Sequence, residues 1–133
     1  MNCKKIGEKV IGSKLIDSSV WIKYLFEGSC KEIIELEEQN YLSLLSLFEI
    51  KLKLIKKEIE KEEIKSNLEF IKQKNIILEL NEKIAEEAAE ISLKNKIPAI
   101  DSLIYSTAIE NQLTLITLDN DFRGLNNAVV LNN

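Results

Sequence analysis

A three-layer α/β/α sandwich around a mostly parallel open sheet is the fold class this sequence predicts, on three observations. Short apolar runs of strand length alternate along the chain with stretches of helical spacing. No internal repeat, low-complexity tract or Ser/Pro linker interrupts that alternation. The chain has 133 residues, 45% hydrophobic and 30% charged. Area scaling then gives about 7,100 Å² of folded surface against about 22,000 Å² for the extended chain, so one domain can bury a proper core. Strands that alternate with helices build βαβ units, whose crossovers cover both faces of a parallel sheet. We read residues 1–133 as a single domain, with 1–13 as a short N-terminal extension.

The elements follow in order. Lys14-Leu15-Ile16 reads as a short buried strand whose start extends back towards Val10-Ile11. Val20, Trp21, Tyr24 and Leu25 keep helical spacing until Gly28 stops them. Lys31 to Glu38 reads as a short helix around Ile33 and Ile34, and Tyr41-Leu42 as a second strand. A long helix is predicted on Leu45, Phe48, Leu52, Ile55 and Ile59, spaced three and four apart, and another from Glu62 to Lys72 on Ile64, Leu68 and Ile71. Ile76 to Leu80 is the third strand. Asn81 caps a helix bearing Ile84, Ala88 and Ile91. Asp101 opens a further helix, Leu113 to Leu118 is a fourth strand of high β propensity, and Ala128 to Leu131 is a short last one.

Composition excludes whole chemistries. With His 0, no Ser-His-Asp or Cys-His site, His-ligated zinc or imidazole shuttle can exist, so any enzyme chemistry falls to carboxylates or lysines. The net charge of -4 argues against bulk non-specific nucleic-acid affinity, although a local basic rim can surround an acidic metal site. Cys3 and Cys30 form no C-x-x-C pair and read as free thiols in a reducing compartment. Met1 to Gly12 alternates lysines with single apolar residues and lacks a signal-peptide core. Nothing approaches the roughly 20 apolar residues of a membrane span. The protein reads as cytoplasmic, with no membrane partner.

The acids are divided unequally. Of 22, eighteen are glutamates, mostly on helix surfaces, and four are aspartates. Asp17 directly follows the first strand, Asp101 stands at a helix start, and Asp119 and Asp121 follow the fourth strand. Ligands of open α/β sheets sit at the carboxyl ends of strands near the point where strand order reverses. A short carboxylate fixed at such a point suits a hard-cation site better than a mobile Glu. Capping and Asx turns explain any one of the aspartates equally well. Asp101 adds a geometric point, because it shares the inward stripe of its helix with Ile104, Tyr105 and Ala108, and an inward carboxylate needs a partner.

Glu49 is ambiguous. Ser46 and Glu49 match a capping box, but so do Ser29/Glu32 and Ser66/Glu69. A surface pair with Lys53 would explain it without function, whereas its place in a first helical turn after the second strand puts it beside the acids. Two carboxylates held 4–5 Å apart repel by about 3–4 kcal/mol at an effective dielectric of 20. Either these acids are far apart or cations sit between them. All-oxygen ligands without His or thiolate point to Mg²⁺ or Mn²⁺.

Four segments carry a resemblance: LIDSSVW at the first strand end, SLFEI at a helix start, PAIDSLIYSTA, and LITLDNDF at the fourth strand end. In this order and spacing, from Lys14 to Leu131, they resemble the signature of PIN-domain ribonucleases, a Rossmann-type α/β fold, and the small single-domain form is similar to VapC-type toxins of prokaryotic toxin–antitoxin pairs. The resemblance implies that Asp17, Glu49, Asp101 and Asp119 are the catalytic, metal-binding acids, with Asp121 accessory, and that Ser18, Ser46 and Thr117 are supporting hydroxyls. It implies a Mg²⁺- or Mn²⁺-dependent endoribonuclease acting on single-stranded or loop RNA, paired with a cognate antitoxin. The Ile- and Leu-rich helices between Ile33 and Ile71 exceed what a thin sheet needs, so part of that surface is expected to pair two copies in a homodimer or to grip the antitoxin. Lys14, Lys23, Lys51, Lys53 and the only arginine, Arg123, are the candidates for RNA phosphates, although lysines in a Lys/Glu-rich chain mostly solvate surfaces.

Other readings lack residues. A haloacid-dehalogenase-type phosphotransferase wants a second Asp where Ser19 stands, and a Mg²⁺-binding receiver domain wants an acidic pair at the first strand's end. A PIN-fold RNA-binding or scaffold protein that does not cleave keeps all four motifs.

Overall fold

In the computed structural model, which describes residues 2–3 and 12–132, Lys14–Ile16 (β1) is the central strand. It pairs in parallel with Asn40–Ser43 (β2) on one side and Thr114–Thr117 (β4) on the other, with Lys14 opposite both Asn40 and Thr114. Asn75–Leu78 (β3) joins β2 and Ala128–Val130 (β5) joins β4, both in parallel. The order is therefore β3-β2-β1-β4-β5. The chain winds outwards from β1 to β3, then returns to lay β4 against the other side of β1. Strand order reverses between β1 and β4, which is where such sheets hold their ligands.

Period-two alternation sorts the strand side chains into two cores. Ile16, Leu42 and Ile116 face one layer of helices: Ser18–Glu27 (α1), Lys31–Ile34 (α2), Leu44–Lys56 (α3) and Lys61–Lys74 (α4). Leu15 and Leu115 face the other, built by Glu82–Asn95 (α5) and Ala99–Glu110 (α6). This is the expected α/β/α sandwich, and every pairing in the sheet is parallel. Gly28 ends α1 at φ 70°, its N–H donating to the Tyr24 carbonyl at 2.9 Å, a left-handed cap that a side chain would strain. Asn81 Oδ1 accepts the Ile84 N–H at 2.9 Å and starts α5. No helix among the described residues is long and apolar enough to cross a membrane.

Several expectations need correction. The helix from Lys31 stops at Ile34 instead of Glu38, because Asn40 Nδ2 donates to the Ile33 carbonyl at 3.1 Å and fastens the end of that turn. The long helix ends at Lys56, before Ile59, where Glu58 turns left-handed at φ 56°. Its buried residues are Ser46, Ile50 and Leu54, while Phe48 is 61% and Ile55 53% exposed. The third strand starts at Asn75 and ends at Leu78, so Leu80 lies outside it. Val10 and Ile11 lie outside the described residues.

Cys3 and Cys30 are joined in a disulfide with their Cα atoms 5.2 Å apart. They are not free thiols, and cysteine usage no longer argues for a reducing compartment. Their separation of 27 residues carries no motif; only the fold sets Cys3 beside the residue that precedes α2.

Candidate active site

β1 and β4 end side by side, and each is followed by an aspartate. The Asp17 N–H donates to the Ile116 carbonyl at 2.9 Å, which extends the β1–β4 ladder by one residue and fixes where the side chain leaves the sheet. Asp17 is 4% exposed. It precedes α1 but makes no side-chain cap there. Its Oδ2 instead accepts from Thr117 Oγ1 at 2.7 Å and from Ser19 Oγ at 2.8 Å. The same Thr117 oxygen accepts the Asp119 N–H at 3.0 Å, and Ser19 Oγ accepts the Leu118 N–H at 3.0 Å. Two hydroxyls thus lock the ends of β1 and β4 together around one carboxylate.

Asp119 Oδ1 accepts the Asp121 N–H at 2.9 Å and so caps the 3₁₀ turn Asn120–Phe122. That bond occupies one oxygen and leaves the other for the cluster. Carboxylate oxygens of Asp101, Asp119 and Asp121 lie within 4.8 Å of one another. Asp101 reaches them from the first turn of α6, where it caps nothing. Glu49, half-buried in the second turn of α3, accepts from Ser18 Oγ at 3.0 Å and makes no ion pair with Lys53 among the described residues. The cap of α3 is Ser43, whose Oγ accepts the Leu45 N–H at 3.1 Å. None of the three capping-box matches is a cap: Ser29 lies before α2, whose cap position is Cys30, and Ser66 lies inside α4.

The electrostatics show one connected group. Burial, foremost, pushes the Asp101 carboxyl up to about 7, followed by the charges of Asp119, Asp17, Asp121 and Glu49. Burial also raises Glu49, against the Ser18 hydroxyl and with the charges of Asp17 and Asp119 behind it. Asp17 is raised by burial against the stabilising hydroxyls of Thr117 and Ser19, with Asp119 adding to the rise. Carboxylates held this close and this dry resist ionisation together, and a hard divalent cation bound among them would relieve all of them. The donor set, carboxylates only, fits such an ion.

A pH dependence follows from the sign of these shifts. A carboxyl whose folded pKa is raised stabilises the fold fully below its ordinary value, and that stabilisation is lost as pH rises through the folded pKa. Without divalent cations the melting temperature should therefore fall between about pH 5 and about pH 8, a window set by Asp101 and clear of ordinary carboxylates. Melting curves in EDTA across that range check it, and a flat profile would mean that the acids do not share a site.

The other expected residues divide. Ser18 donates to Glu49 and Thr117 to Asp17, but Ser46 Oγ is buried with no hydrogen-bond partner among the described residues. Lys14 is 2% exposed, lies at the opposite end of β1 from Asp17, and pairs with Glu38 at 3.0 Å. It is no phosphate ligand. Arg123 donates to Asn120 Oδ1 at 2.8 and 3.2 Å. Lys51 lines an apolar groove between α3 and α4 with Phe48 and Leu52, whereas Lys23 and Lys53 border a groove that Ser19 also lines. Ser19 joins the site without being among the expected residues, and its place two residues after Asp17, to which it donates, is the signal the sequence carries for it.

A parallel α/β domain with an all-carboxylate cluster at its switch point has the layout of a nuclease. Comparison with known proteins gives the family: the PIN domain family model matches residues 14–127, and the chain belongs to that family. Among curated proteins nothing matches. Solved structures do. A toxin–antitoxin complex from Klebsiella pneumoniae is 26% identical with a TM-score of 0.72, covering 88% of this chain and 96% of that one. VapBC2 from Rickettsia felis, bound to a DNA fragment from its promoter, is 20% identical with a TM-score of 0.74, covering 92% and 98%. VapC20 from Mycobacterium tuberculosis, described as a sarcin–ricin loop cleaving toxin, is 13% identical with a TM-score of 0.69, covering 85% and 95%.

Proposed function

We propose that this chain is a Mg²⁺- or Mn²⁺-dependent endoribonuclease acting on single-stranded or loop RNA, and the toxin of a VapBC-type toxin–antitoxin pair. The observation that carries this reading is the meeting of Asp101, Asp119 and Asp121 within 4.8 Å, with Asp17 and Glu49 in the same electrostatic group, in a PIN domain. Asp101, Asp119 and Asp121 would hold the ion. When bound, it supplies water activated as a nucleophile and positive charge against the scissile phosphate. Thr117 and Ser19 keep Asp17 ionisable by donating to it, and Ser18 does the same for Glu49. No histidine is needed as a base.

The partners implied are RNA, a cognate antitoxin and a second copy of the chain, in the cytoplasm and without a membrane. Leu44, Phe48, Leu52 and Ile55 leave a stripe along α3 exposed, and a surface of this kind supports an interface with another chain.

The test couples two readouts. Labelled RNA should be cut with Mn²⁺ or Mg²⁺ and left intact in EDTA. Mn²⁺ should also raise the melting temperature, since binding to the native state alone stabilises by about 2.7 kcal/mol at a hundredfold excess over Kd. Asp101→Asn should remove both effects. Identical melting curves in EDTA and in Mn²⁺ would rule out a metal site at these acids.

A further inference from the structure

A groove of about 470 Å³ lies between α1 and α3. Its lining reaches the acid cluster through Ser19, which bonds Asp17, and Leu118, the residue before Asp119. Its apolar lining comes from Ile22, Phe26 and Leu118, and Phe26 is 40% exposed. Lys53 lines it from α3 and Lys57 from the residue that caps the end of that helix, both exposed and neither ion-paired among the described residues. On its α1 side Lys23 and Glu27 form an i,i+4 pair at 3.8 Å.

The spacing on α3 gives the groove a direction. Glu49, Lys53 and the C-cap Lys57, whose N–H donates to the Lys53 carbonyl, recur every four residues and follow one face in steps of about 6 Å. One face thus runs from a carboxylate in the acid group to two successive ammonium groups. In a chain of net charge -4, cations aligned away from a metal-type site, beside an exposed aromatic ring, match what holds a single nucleic-acid strand. Lysines track its phosphates and the ring stacks a base.

We infer that this groove is the track for the single-stranded RNA segment flanking the scissile phosphate, with Lys53 and Lys57 on successive phosphates and Phe26 stacked on a base. This rests on the nuclease reading above. Neither Lys57 nor Phe26 stood out in the sequence, because only the crossing of α1 over α3 brings them together.

Steady-state cleavage of a labelled single-stranded RNA in Mn²⁺ tests the inference on the full chain. Lys53→Gln, Lys57→Gln and Phe26→Leu would be compared with Lys94→Gln, an exposed control on α5. Each groove variant should raise KM by about 5- to 10-fold and leave kcat within about twofold. The salt dependence of kcat/KM should fall by about 0.7 in slope for each lysine removed. Lys94→Gln should match the wild type, and melting curves would show that all variants fold. Unchanged KM and salt slope in the three variants, with an active wild type, would overturn the groove and leave the nuclease reading standing. A wild type that cuts no RNA in either metal would overturn both.

Discussion

Asp119→Asn should lower Mn²⁺-dependent RNA cleavage at least about a hundredfold, or about 2.7 kcal/mol of transition-state stabilisation, while making the metal-free protein more stable. Asp119 is the acid whose charge raises Asp17, Glu49 and Asp101 alike. Removing it weakens the repulsion at three partners at once, so the melting temperature in EDTA should rise. Asparagine keeps an Oδ1 that can accept the Asp121 N–H, so the 3₁₀ turn has no reason to open. Asp121 is exposed, and among the raised acids its charge acts only on Asp101. Asp121→Asn should therefore cost on the order of tenfold, about 1.4 kcal/mol. Cleavage rates for both variants at equal metal and RNA check the order. The reverse order would give Asp121 the principal role.

The second large effect falls on stability. Trp21 has no exposed surface and packs edge-on against Tyr24 and Phe70, with ring centroids 5.7 and 6.0 Å away. Trp21→Ala should cost about 3–5 kcal/mol, a large part of the 5–15 kcal/mol that holds a typical domain together. Trp21→Phe should cost far less, because the indole Nε1 has no hydrogen-bond partner among the described residues and its loss leaves no acceptor orphaned. Urea unfolding of the two variants measures the difference. Trp21→Ala within about 1 kcal/mol of wild type would mean that the helix layer is not organised around this ring. The two kinds of variant should separate cleanly: aspartate changes lose activity without stability, and Trp21→Ala loses stability first.

The parts of the site legible in the sequence were those fixed by strand ends. A residue that directly follows β1 or β4 has its position set by the ladder, so Asp17 and Asp119 could be placed from a short apolar run and the next letter. Asp101 was legible for a related reason, since helical period ties it to Ile104, Tyr105 and Ala108, all buried. The face that α3 buries was not legible. That helix carries apolar residues on two sides, and periodicity alone favours the stripe of Leu45, Phe48, Leu52 and Ile55. Packing selected Ile50 and Leu54, with the small Ser46 beside them. Lys14 misled because its type says surface, while its position in the central strand says core, and position won. The Cys3–Cys30 bridge and the Ser19 hydroxyl depend on contacts between distant segments, which no local pattern encodes.

Synthesis of this chain has a consequence for when its chemistry can exist. Asp17 leaves the ribosome a hundred residues before Thr117, the hydroxyl that donates to it, and β1 has no β4 beside it until Thr114–Thr117 has been made. The first six elements can collapse early, but they carry only two of the five acids, Asp17 and Glu49. A nascent chain that stops short of residue 101 therefore lacks all three acids of the Asp101, Asp119 and Asp121 cluster. An enzyme proposed to cut RNA would gain its acid cluster only once residues 101 to 121 have been made.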